Sequence, residues 1–246
     1  MDASFQSDGC APIAALLYDA ALLPTLQHVL AEAERGATFA VSHKPAADDG
    51  WVELLRDGLT FDLHGLAGGP VQPLPEIRAA VGLDRAASAD LGVLTLAPGP
   101  HLAGAQRLLP VIRVAADLLA DLARIGPATA IVWLPAKLMV RADLFEKAVR
   151  PWLQGGPFPA PAFVAIHPDG AGGLRSEGLN FFIEQEFSLV SGSTDGASAL
   201  SRVAIRLIDW LVAHGPISSS TDAVLAGTGA VFLEVPERGR ILARCN

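Results

Sequence analysis

Glu184 and Glu186 are the pair of residues whose type and spacing most resemble working chemistry. Residues two apart on a strand point to one face and sit about 6.6 Å apart along it, so two carboxylates could straddle one substrate atom as general acid and base. His167 closes the preceding apolar run and Arg175 lies in the connecting turn, so both could join them. The expected arrangement is a strand over Ile183 to Val190, with Ile183, Phe187 and Leu189 inward and Glu184, Glu186 and Ser188 outward. The plain alternative is that these are solvated side chains on the outer face of a sheet. Nothing else in the chain completes an acid–base site.

Other signatures of chemistry are missing. There is no G-x-x-x-x-G-K-[ST], G-x-G-x-x-G, G-x-S-x-G or H-E-x-x-H, which leaves no motif for nucleotide binding, serine hydrolysis or zinc proteolysis. Gly170 to Gly173 and Gly227 to Gly229 read as strand-linking turns, because a phosphate cradle leads into a helix N-terminus. The six histidines, His28, His43, His64, His101, His167 and His214, fall one to an element without metal-ligand spacing. Cys10 and Cys245 stand near the two ends and outside any C-x-x-C or Cys/His cluster. No cofactor and no metal is expected. Whether the two cysteines meet cannot be read from their spacing. So few cysteines point to a reducing cytoplasm.

The elements that must position these residues read as an α+β chain. Ile13 to Tyr18, Leu91 to Ala97 and Ala130 to Leu134 are short apolar runs bounded by breakers, as buried strands are. Thr38 to Ser42 reads as another strand, and Gly58 to His64 alternates like a half-buried one. Leu23 to Glu34 carries helical spacing, and a short helix fits Glu76 to Gly82. Leu108, Val111, Ile112, Ala115, Leu118, Leu119 and Leu122 mark one face of a helix, with Asp117 and Asp121 placed elsewhere on it. A further helix follows Asp143. Ser193, Thr194 and Asp195 offer N-caps for a helix with Leu200, Leu207, Ile208 and Leu211 on its stripe. Ser218 to Gly227 reads as a polar loop, and a hairpin closes the chain. The expectation is mixed, mostly antiparallel sheets flanked by helices, in two ferredoxin-like lobes: 1–100 with order β-α-β-β-α-β, and 101–246 as a C-terminal α/β lobe, the two able to form one compact unit.

Gly178-Leu179, Phe182, Glu186 and Leu189 resemble the pattern of a bacterial family known as a domain of unknown function (number 4261). There a strand and turn lead to Gly-Leu and then to an acidic residue that opens the next strand. The surrounding order is similar from about Ile13 onward: a segment with prolines at Pro70 to Pro75, a long helix, AIVWLP, then a helix, a polar loop and a hairpin. The likeness implies an α+β fold and carries no catalytic residue. The loop AHGPISSSTDAVLAGTG is less charged than that family's pattern leads one to expect.

Composition narrows the partners. The formal net charge of −8, without a basic run, argues against a nucleic-acid binder. The most apolar stretch, Leu102 to Leu134, is broken by five charged residues and is not a membrane span; the acidic start does not read as a signal peptide. The resulting expectation is a cytoplasmic, non-enzymatic protein-interaction or accessory module, with a protein partner or homo-oligomer. The alternative is a small-molecule enzyme using Glu184, Glu186 and His167.

Overall fold

The computed structural model describes residues 10–36, 38–83, 90–191 and 197–245. In chain order the first elements are β1 (Ala14–Asp19), α1 (Leu26–Glu34), β2 (Ala40–His43), β3 (Trp51–Arg56), β4 (Leu59–His64) and β5 (Ala79–Val81). Next come β6 (Leu91–Pro98), α2 (Leu109–Leu122), β7 (Ala130–Trp133), β8 (Leu138–Arg141), α3 (Ala142–Leu153) and α4 (Ala160–Phe163). The chain then runs through β9 (Ala165–Pro168), β10 (Leu174–Glu177), α5 (Asn180–Ile183), β11 (Glu186–Ser191) and α6 (Ala197–His214). It closes on β12 (Thr221–Leu225), β13 (Gly229–Glu237) and β14 (Arg240–Cys245). The fold is α+β, with mixed, mostly antiparallel sheets. The chain divides into two compact units: Met1–Glu76 with Ala86–Leu134, and Ile77–Arg85 with Pro135–Asn246.

In the first unit the strands lie in the order β2-β3-β4-β6-β1-β7, every pair antiparallel. β1 has both edges paired, to β6 and β7, and Ala14 to Tyr18 are all buried, so both its faces are covered. That is why its sequence is a continuous apolar run. Burial raises the Tyr18 phenol above its ordinary range, and its hydroxyl donates to the Leu122 carbonyl at 3.0 Å. Helix α2 starts with Pro110 in its first turn and buries Val111, Ile112, Ala115, Leu118, Leu119 and Leu122, worth about 1.5–3 kcal/mol for each large aliphatic.

Asp121 lies off the apolar stripe of α2 and is nonetheless only 6% exposed, and Arg56, at the end of β3, is 5% exposed. Arg56 reaches Asp121 at 2.6 Å and also pairs with Asp117, while Thr38 and Arg124 complete the shell around Asp121. Burial alone would raise the Asp121 carboxyl; the hydrogen bonds from Thr38 and Arg56 outweigh it, and the group lies below its ordinary range.

In the second unit β5 runs parallel to β8. Residues 79–81 therefore form a strand, not the helix expected over Glu76 to Gly82; three residues bounded by prolines and Gly82 are too short for helix cooperativity. A six-stranded sheet follows in the order β12-β13-β14-β11-β10-β9, with β11 parallel to β14. Its inner side chains, Ala223, Leu225, Val231, Leu233, Ile241, Ala243, Phe187 and Leu189, are buried. Leu200, Ala204, Leu207, Ile208 and Leu211 of α6 are buried too, and α6 packs against β12 and β10. The N-caps expected at Ser193, Thr194 and Asp195 lie outside the described residues. The polar loop expected from Ser218 contains an edge strand instead: Ala223 and Leu225 face the core in alternation with Asp222 and Val224. No described helix is long and apolar enough to cross a membrane.

Candidate functional site

The stretch 161–190 folds as three strands and two single-turn helices, not as one long strand pair. The difference decides where the two glutamates go. Helix α5 ends at Ile183, and Glu184 takes the left-handed conformation that stops it, with φ 61°. The strand begins only at Glu186. Buried Gln185 fixes this step, exchanging two hydrogen bonds with the backbone of Ile217: its amide nitrogen donates to the carbonyl at 2.9 Å, and its oxygen accepts from the N–H at 2.8 Å. Glu184 and Glu186 are therefore not two-apart neighbours on one strand face. Glu184 is exposed at the turn.

Glu186 is held. One carboxylate oxygen accepts from the Gly178 N–H at 2.7 Å and the Asn180 N–H at 3.1 Å; the other accepts from the Ser176 hydroxyl at 2.5 Å. The Ser176 oxygen accepts in turn from the Phe187 N–H at 2.9 Å. This carboxylate clasps the turn between β10 and α5. Gly178 is required there on two counts: its φ is 96°, and a Cβ would come within 2.5 Å of the Ala136 methyl. Leu179 behind it is fully buried.

His167 stands on β9, one strand over from Arg175 and in register with it. Its Nε2 lies 3.0 Å from Oε2 of Glu177. Both atoms are shut off from solvent with no other partner, so a proton on Nε2 serves both. The second oxygen of Glu177 takes the Arg78 guanidinium at 3.0 Å. Arg175 is exposed and pairs across the sheet with Ser188. Arg175, Glu177, Asn180, Glu186, Ser188 and Arg240 line a depression of about 290 Å³. Arg175 and Glu186 thus meet at one pocket, which neither His167 nor Glu184 lines.

A second constellation, in the first unit, has no local sequence signal. Register places His43 against Glu53, Glu53 against Asp62, and Trp51 against His64 on one face of β2, β3 and β4. The Trp51 ring lies 5.5 Å from both imidazoles, stacked on His64 and tilted to His43. His101 adds a contact to Thr60 at 3.2 Å. Burial raises the Asp62 carboxyl and Glu53 adds to this, while His64 opposes it; burial lowers the His64 imidazole against the pull of Asp62. Only the cross-strand pattern of period two could have found this face. Among the described residues no group of three or more His, Cys, Asp or Glu is placed to hold a metal ion. Both cysteines are free; Cys10 contacts the Gly99 carbonyl and Cys245 that of Val190.

Comparison with protein-family models, with curated proteins and with solved structures returned no match.

Proposed function

We propose that this chain is a non-enzymatic recognition module that binds a partner protein on the outer face of its C-terminal sheet. The observation that carries this reading is an apolar pair at the sheet's edge: Val224 is 72% exposed and Phe232 41% exposed. Register puts both on one face, with Phe232 set between Asp222 on one side and Arg244 on the other. Edge strands with exposed apolar side chains template pairing with another chain, and large exposed apolar side chains clustered together mark contact surfaces.

The state of the acid–base candidates supports the same choice. A general base has to reach a substrate proton. The Glu186 carboxylate already accepts three hydrogen bonds, and Glu184 stands away from the pocket. The family likeness belongs to this proposal too, since Gly178, Leu179 and Glu186 build the clasp and bring no reactive group. Two free thiols are in keeping with the cytoplasm, and the net charge of −8 with a protein rather than a nucleic-acid partner.

The test is affinity capture from the native host by wild type and by the Val224→Glu/Phe232→Glu variant, followed by binding of the purified partner to each. Circular dichroism checks that both fold. Wild type should hold the partner and the variant should lose it; equal binding by the two refutes this surface, and a single-component dimer by light scattering would identify the partner as a second copy.

A further inference from the structure

The pocket on the same sheet goes beyond protein recognition, and we infer that it binds the anionic head of a small ligand, a carboxylate or a phosphate. Its side chains divide into those already engaged and those that are not. The two carboxylates are answered from behind. Glu186 takes the Ser176 hydroxyl and two backbone N–H groups, and Glu177 takes Arg78 and His167. Neither needs a cation from the pocket.

The donors are the unengaged part. Among the described residues none pairs with the Arg175 guanidinium, the Asn180 side-chain amide or the Ser188 hydroxyl. Arg240 shares its charge with Glu237 at 3.1 Å but stays two-thirds exposed. One guanidinium, an amide and a hydroxyl around one depression are donors without acceptors, and the exposed Arg240 adds a second guanidinium that Glu237 engages at one nitrogen. A planar guanidinium presents paired N–H groups in the geometry that carboxylate and phosphate oxygens accept. The positions are also fixed: Arg175 and Ser188 are cross-strand partners on β10 and β11, and Arg240 is the parallel-strand partner of Glu186. A rigid sheet places the donors before any ligand arrives, which lowers the ordering cost of binding.

Size limits the class. About 290 Å³ is at the low end for ligand sites. It suits a single anionic group on a short body, such as a small organic acid or a phosphate ester, and is too small to bury a dinucleotide.

The experiment titrates inorganic phosphate and succinate separately into 15N-labelled full-length protein, wild type, Arg175→Ala and Ser188→Ala, followed by NMR. The expected result is saturable shifts at Arg175, Ser188 and Gly239 with at least one of the two anions. Arg175→Ala should weaken binding by about tenfold or more, as loss of a hydrogen bond to a charged group does. Ser188→Ala should weaken it less, and added salt should weaken wild type. Tighter binding of phosphate assigns a phosphate ligand; tighter binding of succinate assigns a carboxylate. No saturable shift with either anion at millimolar concentration, or equal binding by Arg175→Ala, overturns the inference. Val224→Glu/Phe232→Glu leaves the pocket intact, so this titration reads independently of the partner-capture test.

Discussion

Replacing Glu186 by Ala separates a structural carboxylate from a catalytic one. The substitution strips the acceptor from three donors: the Ser176 hydroxyl, the Gly178 N–H and the Asn180 N–H. The Asn180 bond is exposed, so water replaces it at little cost. The other two are partly buried, and a hydrogen bond to a charged group contributes about 1.5–3 kcal/mol. Taking the low end for each gives a loss of about 3 kcal/mol. Glu186→Gln keeps one acceptor oxygen for the backbone pair and should lose only about 1 kcal/mol. Because the chain has two compact units, a single denaturation curve does not report on one turn. Hydrogen exchange read by mass spectrometry on a peptide spanning 174–190 does, since it measures local opening. A loss of about 3 kcal/mol predicts exchange roughly 150-fold faster in this peptide when opening limits it. Protection within a factor of about 2 of wild type, equivalent to under about 0.5 kcal/mol, would refute the clasp and return Glu186 to the list of free bases.

Two further outcomes concern the first unit. Arg56→Ala leaves Asp121, only 6% exposed, without its main partner, and should lower stability by about 3–5 kcal/mol, read by urea unfolding; a loss under about 1 kcal/mol would mean the pair behaves as a surface bridge. Asp121 sits below its ordinary range in the fold, so the stability it contributes is present above the unfolded carboxyl range and is lost as pH falls through the lowered value. His64 is also lowered, so its contribution is present above the ordinary imidazole range and is lost as pH falls through the lowered value. The stability–pH curve between about pH 7 and about pH 5 should therefore flatten in His64→Gln, and an unchanged slope would count against a lowered, half-buried imidazole. Asp62 has the opposite sign: its raised carboxyl favours the fold when protonated, so Asp62→Asn should gain stability at neutral pH, with the gain vanishing as acid protonates the native aspartate.

What was legible in the sequence follows from how each segment is buried. β1 and β6 lie within the sheet and β7 is buried along its length, so all three read as apolar runs; α2 and α6 present apolar stripes long enough to set a period. β3 gave no such signal. Its outward residues include Trp51, Glu53 and Leu55, and its last inward residue is Arg56, whose partners lie 61 and 65 residues away. A buried arginine reads as surface until the helix carrying Asp117 and Asp121 is placed beside it. β10, LRSE, is four residues long with two charges, too short for alternation to separate from a turn. The Glu184–Glu186 pair failed as a prediction for a related reason: alternation assumes unbroken extended backbone, and a single left-handed residue at Glu184 ends that assumption.

The two clusters of titratable groups also invert the sequence's own ranking. Glu186, His167 and Arg175 drew notice because they lie within 20 positions of one another, yet local density near a tight turn is what a structural clasp requires: an acceptor must sit close in sequence to the backbone N–H groups that the turn leaves unpaired. His43, Trp51, Asp62 and His64 are spread over β2, β3 and β4, and the histidines among them have no metal-ligand spacing in the sequence, although register brings all four residues onto one face. Cross-strand assembly has no local reason to exist, since directly opposed Glu53 and Asp62 repel and destabilise the pair. Asp62 and His64 are half-buried, and the raised Asp62 carboxyl shows that its charged form is disfavoured there. The Asp62→Asn measurement therefore asks more than whether a carboxyl is raised: a gain in stability at neutral pH would mark this face as one kept for something other than folding.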